Sequence, residues 1–248
     1  MLSASEALVP QGDSRLIAEF LPGDMSRQTH SSKEAVRALD TVARGHAAIR
    51  VLDLGCGVGT SHDELSAHCT NLQWIGLDIG DSREVIARPQ RRLPFCTYDG
   101  TRIPLADASI DFIYSKQVFE HVRYPEILLA DAYRVLKPNG VFVGSTSHLE
   151  PFHSRSYWNY TPYGFCVLLR DAGFNEIQIR PGIDAMTLIA RRCFSYVRLS
   201  RLCEPFFTTE SPVNLVLEYA LRMLRQSARR RNQFKLLFAG QFCFIARK

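Results

Sequence analysis

Three glycines alternate with other residues directly after a short apolar run, and bare main chain of this kind can hold a ligand. Residues 49–54 predict a buried parallel strand, and Gly55, Gly57 and Gly59 follow it. Glycine adopts positive φ angles and lets a ligand approach the backbone closely. A helix predicted over residues 61–68 places this loop at a helix N-terminus, which is the frame of a nucleotide site at the carboxyl end of a sheet. A tight turn without a ligand would use the same glycines, so the loop alone does not decide.

Carboxylates stand at informative distances from this loop. Asp53 precedes the first glycine by two residues, and the G-x-G-x-G spacing differs from the G-x-G-x-x-G of a dinucleotide site. A carboxylate here suits a cationic ligand better than a pyrophosphate. Asp78 ends a strand predicted over residues 73–78, and it lies 23 positions after Gly55, near the offset at which an acid binds ribose hydroxyls. The alternative is that Asp78 caps a helix over residues 82–88.

A third acid follows the third predicted strand, at residues 93–98. Asp99 can accept the amino hydrogens of an adenine ring there, and Ile103 can cover the face of the ring. An Asp-Gly turn with Gly100 that binds nothing is the alternative. The other elements that position these residues are strands at 110–115 and 141–145 and helices at 32–43, 125–136 and 162–172.

Several motifs occur in one order along the chain. The glycine loop with Asp53 comes first, the two later acids follow, and then come Phe-Glu-His-Val at residues 119–122 and Arg-Val-Leu-Lys-Pro-Asn-Gly at residues 134–140. Over residues 45–180 this order resembles the class I S-adenosylmethionine (SAM)-dependent methyltransferases with a methyltransferase-11 type core. The resemblance implies an α/β, Rossmann-like fold. Its seven-stranded sheet has the order 3-2-1-4-5-7-6 and an antiparallel strand seven, with helices on both faces. Two further strands, the sixth and the seventh, are implied only by this resemblance, at residues 176–180 and 241–246.

The resemblance also implies SAM as the cofactor and a set of positions that bind it. These positions are Asp53, Gly55, Cys56, Gly57, Gly59, Asp78, Ile79, Asp99, Gly100 and Ser115. It further implies that the loop after strand five, residues 148–160, helps to form the pocket of the methyl acceptor.

Methyl transfer from a sulfonium needs the nucleophile in line with the methyl carbon, about 3 Å away. A hydroxyl acceptor is helped by a general base, for which histidine is suited. His148 and His153 are therefore candidate bases, and His121 is a third. A structural role for each is the alternative. The aromatic residues of the same loop either line the acceptor site or pack the loop onto the core; they are Tyr157, Trp158 and Tyr160.

A metal site is not expected. Some methyltransferases of this fold bind a divalent ion through E-x-x-E-H after strand four, and the corresponding residues here are Gln117-Val-Phe-Glu120-His121. The uncharged amide of Gln117 replaces the first acid, and it is a poorer ligand for a hard cation. Glu120 and His121 are then structural or shape the pocket.

Composition limits the class of protein. Hydrophobic residues make up 46% of the 248 residues and charged residues 22%, as in ordinary globular proteins. Seven scattered cysteines without a C-x-x-C pair argue against a disulfide framework or a zinc site and favour a reducing, cytoplasmic location. Glu6 and Asp13 interrupt the start, so no signal peptide is expected, and no apolar run approaches the roughly 18 residues of a spanning helix.

Positive charge is concentrated near the end of the chain. Residues 191–248 hold 12 Lys and Arg against 3 Asp and Glu, a net +9, whereas residues 1–190 hold 18 against 22, a net −4. The predicted organisation is a leader and helix at 1–44, a SAM-binding core at 45–190, a basic helical insertion at 191–238 and the last strand at 239–248.

One helix is predicted over residues 212–231 of the insertion, with Ser211 as its cap. Its apolar positions are Val213, Val216, Leu217, Ala220, Leu221 and Leu224, and its basic positions are Arg222, Arg225, Arg229, Arg230 and Arg231. A basic amphipathic helix can lie in a membrane interface, which predicts peripheral membrane or lipid contact. Packing of the apolar stripe on the domain, with a solvated basic end, is the alternative.

The predicted function is transfer of a methyl group from SAM to a small-molecule acceptor, with oxygen favoured over nitrogen. An NAD-dependent oxidoreductase is a second hypothesis, and the glycine spacing and Asp53 argue against it. A non-catalytic SAM-fold subunit is a third, against which the intact loop and acids argue. Nucleic-acid modification is not expected, because no recognition motif accompanies the basic charge. The sequence leaves the oligomeric state open.

Overall fold

A computed structural model describes residues 14–23, 27–45, 47–88 and 92–248. Its centre is a seven-stranded sheet of order β3-β2-β1-β4-β5-β7-β6, in which β7 runs antiparallel to both neighbours. Both the predicted order and the antiparallel strand seven are confirmed. The strands are β1 Ile49–Leu54, β2 Leu72–Ile79, β3 Phe95–Tyr98, β4 Ile110–Lys116, β5 Leu136–Ser147, β6 Asn175–Pro181 and β7 Gln241–Arg247.

Alternating strand residues feed two hydrophobic cores, one on each face of the sheet. Phe112 and Tyr114 of β4 belong to one core with Trp74, while Ile113 between them belongs to the other with Phe142. Neighbouring side chains on a strand point to opposite faces, so nearly continuous apolar runs are needed where helices cover both faces. This is why β1 and β4 are mostly apolar in the sequence rather than strictly alternating, with Arg50, Asp53 and Asp111 among the polar exceptions.

The helices predicted over residues 32–43, 61–68, 125–136 and 162–172 lie close to their predicted positions. The helices of the structure are α1 Ser14–Ala18, α2 Ser31–Val42, α3 Thr60–Ser66, α4 Arg83–Ile86, α5 Pro125–Val135, α6 Pro162–Asp171, α7 Ala185–Tyr196, α8 Pro205–Thr208, α9 Pro212–Met223 and α10 Ala228–Leu237, with 3-10 turns at Phe119–His121 and Ser200–Cys203. None of the helices in the described ranges is long and apolar enough to cross a membrane.

Strand five is longer than the segment predicted from residue 141. Leu136, directly after α5, already pairs with Ile110, and the register then shifts so that Phe112 pairs with Val141. Residues 137–140 form the irregularity between these two pairs, with Asn139 at φ 63°. Helix α5 therefore ends at Val135, and β5 begins at the next residue, Leu136.

The single helix predicted over residues 212–231 is wrong. Its first half is α9 and its second half lies in α10, and Arg225 between them has φ 52°, which no right-handed helix contains. Ser227 caps α10 by accepting a hydrogen bond from Arg230 N at 3.3 Å. Ser211 does occupy the predicted N-cap position of α9, but its hydroxyl makes no capping bond to the helix and accepts one from Asp184 N at 3.2 Å instead.

The described part of the N-terminal segment lies along the free edge of the sheet. Ile179 N of β6 donates to Phe20 O, and Thr29 N donates to Pro181 O, both at 2.8 Å. The boundary predicted between residues 190 and 191 falls within α7, which starts at Ala185. The division into core and insertion stays a prediction.

Candidate active site

The glycine loop holds its three glycines in the left-handed region. Gly55, Gly57 and Gly59 have φ of 74°, 49° and 83°. A Cβ at position 55 would collide with the side chain of Val118, whereas one at position 57 would meet only Glu84 Cβ, at 3.5 Å. Packing therefore requires Gly55. At Gly57 a Cβ would only be in ordinary van der Waals contact with Glu84 of α4, so packing does not require this glycine, and its bare main chain is available to a ligand.

Asp78 closes the loop from the neighbouring strand. Its Oδ2 accepts a hydrogen bond from Gly57 N at 2.7 Å, and its Oδ1 accepts one from Ile79 N at 2.8 Å. Burial raises the pKa of this carboxyl, and the bonds from Gly57 and Ile79 oppose the rise. The alternative role as a helix cap is wrong, because Ser82 caps α4 by accepting from Val85 N at 3.1 Å.

Asp53 lies behind the loop, almost completely buried. The Ser61 hydroxyl of α3 donates to its Oδ2, and Trp74 Nε1 donates to the Ser61 oxygen at 3.2 Å. Burial raises the pKa of Asp53 to about 7, which the bond from Ser61 partly offsets. A cation bound nearby would favour the ionised form of this carboxyl.

Asp99 organises the turn after β3 and is exposed. Its Oδ1 accepts bonds from Arg102 N, Thr101 N and Thr101 Oγ1, each at 2.8 Å, and the bond from Arg102 contributes most to lowering the pKa of the carboxyl. All three bonds use one oxygen, so Oδ2 can face a ligand. Gly100 follows at φ 84°, and a Cβ added to it would lie 3.6 Å from Ile79 Cγ2. The predicted cofactor positions Ile79, Asp99 and Gly100 therefore lie next to one another.

Two further predicted cofactor positions lie at the strand ends beside the loop. Ser115 of β4 is fully buried, and within the described chain its hydroxyl makes no hydrogen bond. The Cys56 thiol is also buried, which raises its pKa to about 12. Strands β1 to β5 are parallel, so their carboxyl ends lie at one edge of the sheet, and this edge carries the predicted cofactor positions.

Arg88 is a residue that the sequence did not single out. Its Nη2 donates to Gly57 O at 2.7 Å, and its guanidinium lies 3.7 Å from the centre of the Phe95 ring. It brings a positive charge to the loop from beyond α4. No local motif marks it, since only the turn of the chain after β2 carries it back to Gly57.

The structure separates the two predicted catalytic histidines. His148 uses Nδ1 to bond Tyr160 O at 2.9 Å, and burial lowers its pKa. His153 lies against His121, with ring centres 5.1 Å apart, and its Nδ1 is 3.5 Å from Glu150 Oε1. Burial first, and then the charge of His153, lower the pKa of His121. The pair of His121 and His153 therefore joins the end of β4 to the loop after β5.

Glu120 completes a group of metal-ligand types with this pair. One ligand atom each of Glu120, His121 and His153 lies within 4.8 Å of the others. However, Glu120 is buried and already accepts bonds from Thr146 and Ser147, and burial raises its pKa to about 7. A carboxyl that is readily protonated is a weak metal ligand. A site without metal remains the prediction.

The loop after β5 closes over the same edge of the sheet. Arg155 Nη1 reaches Asp81 Oδ2, in the turn after β2, at 2.8 Å, so the loop spans the positions of β1 and β4. The three predicted aromatic residues do come together. Tyr157, Trp158 and Tyr160 line one cavity of about 720 Å³. The other residues that line it are Arg123, Tyr124, Pro125, Glu126 and Leu168.

The glycine loop and three acids meet at the carboxyl edge of a largely parallel sheet, which is where open α/β folds bind their ligands. Residues 52–144 match the family model of a methyltransferase domain. This part of the chain is therefore similar to a SAM-dependent methyltransferase domain, and its sheet has the strand order 3-2-1-4-5-7-6 of the Rossmann-like methyltransferase fold.

Similar proteins agree with this assignment. A probable SAM-dependent methyltransferase of Mycolicibacterium smegmatis is 32% identical over 147 residues, which cover 54% of each chain. A malonyl-[acyl-carrier protein] O-methyltransferase of Methylovorus sp. is 36% identical over 107 residues, 39% of this chain and 36% of that protein. The matched region thus spans about half or less of these relatives.

A solved structure supports the fold. Phosphoethanolamine N-methyltransferase 2 of Haemonchus contortus, in complex with SAM, has a TM-score of 0.55 at 17% identity. The likeness covers 87% of this chain and 52% of that one.

Proposed function

We propose that this protein is a SAM-dependent methyltransferase that acts on a small-molecule acceptor. One observation carries the proposal: the edge of the sheet that presents the glycine loop also presents Asp53, Asp78 and Asp99. The family match and the curated relatives support the same chemistry. Bound SAM would supply the sulfonium leaving group.

The residues of the cleft have distinct roles in holding the cofactor. Asp78, already bonded to Gly57 N, presents its carboxylate toward ribose hydroxyls beside the loop. Asp99 accepts the adenine amino hydrogens with the oxygen that the turn leaves open. Asp53 contributes negative charge on the side of the cationic methionine moiety. Bare main chain at Gly57 allows the close approach.

The acceptor side is formed by the loop after β5. We favour an oxygen acceptor, because histidines border this side and a hydroxyl needs a base to remove its proton. His153, paired with His121, is the better placed of the two predicted bases, since His148 is bonded to the main chain of Tyr160. The relatives include an O-methyltransferase, whereas the solved structure is of an N-methyltransferase, so the names alone do not decide. We place the protein in the cytoplasm, where its seven free thiols would stay reduced.

Calorimetry with SAM tests the cofactor site. Gly57→Val should abolish binding, because the side chain fills the space beside the loop. Gly45→Val is the matched control, since Gly45 also has a positive φ, of 79°, and a Cβ there meets nothing within 4 Å, and it should bind normally. Undiminished affinity in a folded Gly57→Val protein would refute the site. Binding of a nicotinamide cofactor in place of SAM would refute the proposed reaction.

Turnover tests the acceptor side. Small hydroxyl compounds and amines are screened by the S-adenosylhomocysteine that they produce. With an acceptor found, His153→Ala should lower turnover strongly and leave SAM affinity nearly unchanged, and His148→Ala should have the smaller effect. Full activity in the double variant would rule out both histidines as the base.

A further inference from the structure

Exposed apolar side chains are concentrated on the helices of residues 185–238, which we call the helical unit. On α9, Val216, Tyr219 and Met223 have exposed fractions of 68%, 71% and 69%, and with Leu215 they lie on one side of the helix. Elsewhere in the unit the large exposed apolar residues are Met186, Ile189, Tyr196, Val197, Leu199, Leu202, Leu224, Leu237 and Phe238. The four on α9 form an exposed apolar helix side, and surface of this kind is typical of an interaction site.

A buried lysine fixes which side of α9 faces outward. Lys235 of α10 is fully buried, and its Nζ lies 3.0 Å from Glu218 Oε2 and also pairs with Glu210. Arg231 binds Glu218 from the same side, at 3.0 Å. Asn214, one turn earlier, donates to Gln28 Oε1 and to a main-chain oxygen of the body. With its polar residues held inward, α9 presents its apolar side to the exterior.

The same unit carries an excess of positive charge. Residues 185–238 contain ten Lys and Arg against three Asp and Glu, a net +7. All three acids are engaged in ion pairs inside the unit, Glu204 with Arg191 and the other two with the groups around Lys235. Four exposed arginines of the unit form no ion pair within the described ranges, namely Arg198, Arg201, Arg225 and Arg229, and Arg225 lies just after α9 in the chain.

We propose that the helical unit docks on an anionic lipid surface, with the apolar side of α9 entering the interface. Charge selects this occupant: exposed apolar side chains on a helical unit of net charge +7 complement anionic headgroups over acyl chains, whereas a second copy of the chain would bring the same positive charge against it. Glu150 in the predicted acceptor loop binds Arg192 of α7 at 2.8 Å, so docking would hold that loop beside the lipid surface.

Co-sedimentation tests the proposal without SAM, so its outcome does not depend on methyl transfer. The full chain is mixed at low salt with vesicles of phosphatidylcholine alone or of phosphatidylcholine with phosphatidylglycerol. Two test variants are Arg225→Ser with Arg229→Ser, and Val216→Ser with Tyr219→Ser. Each should weaken binding by about tenfold or more. The matched controls are Arg44→Ser with Arg92→Ser, and Ile127→Ser, which change exposed residues outside the unit.

Pelleting with the anionic vesicles only, reduced in both test variants and unchanged in the controls, supports the proposal. Failure to pellet with either vesicle type overturns it. Equal pelleting with both types overturns the anionic selection. If the protein does not bind vesicles but forms a dimer in solution, and Tyr219→Ser dissociates that dimer, the surface would be assigned to a second copy of the chain instead. Arg231 is kept unchanged throughout, because its loss would disturb Glu218 and the fold of the unit.

Discussion

Replacing Asp78 by alanine should weaken both the glycine loop and its affinity for SAM. The carboxylate accepts bonds from Gly57 N and Ile79 N, and the residue is only 9% exposed. A hydrogen bond to a charged group contributes about 1.5–3 kcal/mol, but burial already opposes ionisation here, as the raised pKa of Asp78 shows. We therefore expect a net loss of about 1–3 kcal/mol in the free energy of unfolding.

The effect on SAM adds to the effect on the loop. Loss of the bond to the ribose should cost about 1.4 kcal/mol or more, which corresponds to about tenfold or more in the dissociation constant. Asp78→Asn keeps one acceptor oxygen, so only one of the two main-chain donors is left unpaired. Its affinity should lie between those of wild type and Asp78→Ala. Asp171→Ala, which removes an exposed acid at the end of α6, should change neither quantity.

Two measurements separate these effects. Calorimetry gives the SAM dissociation constant of the folded variants, and urea titration gives the free energy of unfolding. A folded Asp78→Ala protein whose SAM affinity changes by less than about twofold would show that Asp78 supports the loop without touching the cofactor. Loss of stability with unchanged affinity would refute the ribose assignment in the same way.

Two other predictions concern buried charges. Between about pH 4 and pH 7 the folded state keeps a proton on Asp53 that the unfolded state has lost, because burial raises its pKa from 3.8 to about 7. The free energy of unfolding should therefore fall as pH rises through this window. In urea titrations, the unfolding free energy of Asp53→Asn relative to wild type should rise by about 2–3 kcal/mol between pH 5 and pH 8. A difference between the two proteins that does not change with pH would contradict this. Lys235→Met should cost about 3–5 kcal/mol of unfolding free energy, because it leaves Glu210 and Glu218 without their buried partner. Lys137→Met breaks a partly exposed pair with Asp111 and should cost about 1 kcal/mol or less. Equal losses of unfolding free energy in the two variants would refute the argument.

Much of the fold follows from the sequence, because its signals are local. The strands of a sheet covered on both faces are mostly apolar, so residues 49–54 and 110–115 could be assigned from their short apolar-rich composition. The glycines of the loop need positive φ, and their spacing marked the strand-to-helix turn. The motifs from Asp53 to the Asn139-Gly140 turn gave the order of the sheet through resemblance to one family. Each of these signals acts within a few residues of the chain.

The features that only the tertiary structure decided depend on residues far apart in the sequence. Arg88 reaches Gly57 only because the chain turns back after β2, and His153 meets His121 only because β4 and β5 are neighbours. The apolar residues of α9 predicted an amphipathic helix but not which side would be buried. The pairing of Glu218 with Lys235, 17 residues later in a separate helix, set that orientation. Helical periodicity fixes which residues share a face, whereas the partner across the contact fixes where that face points.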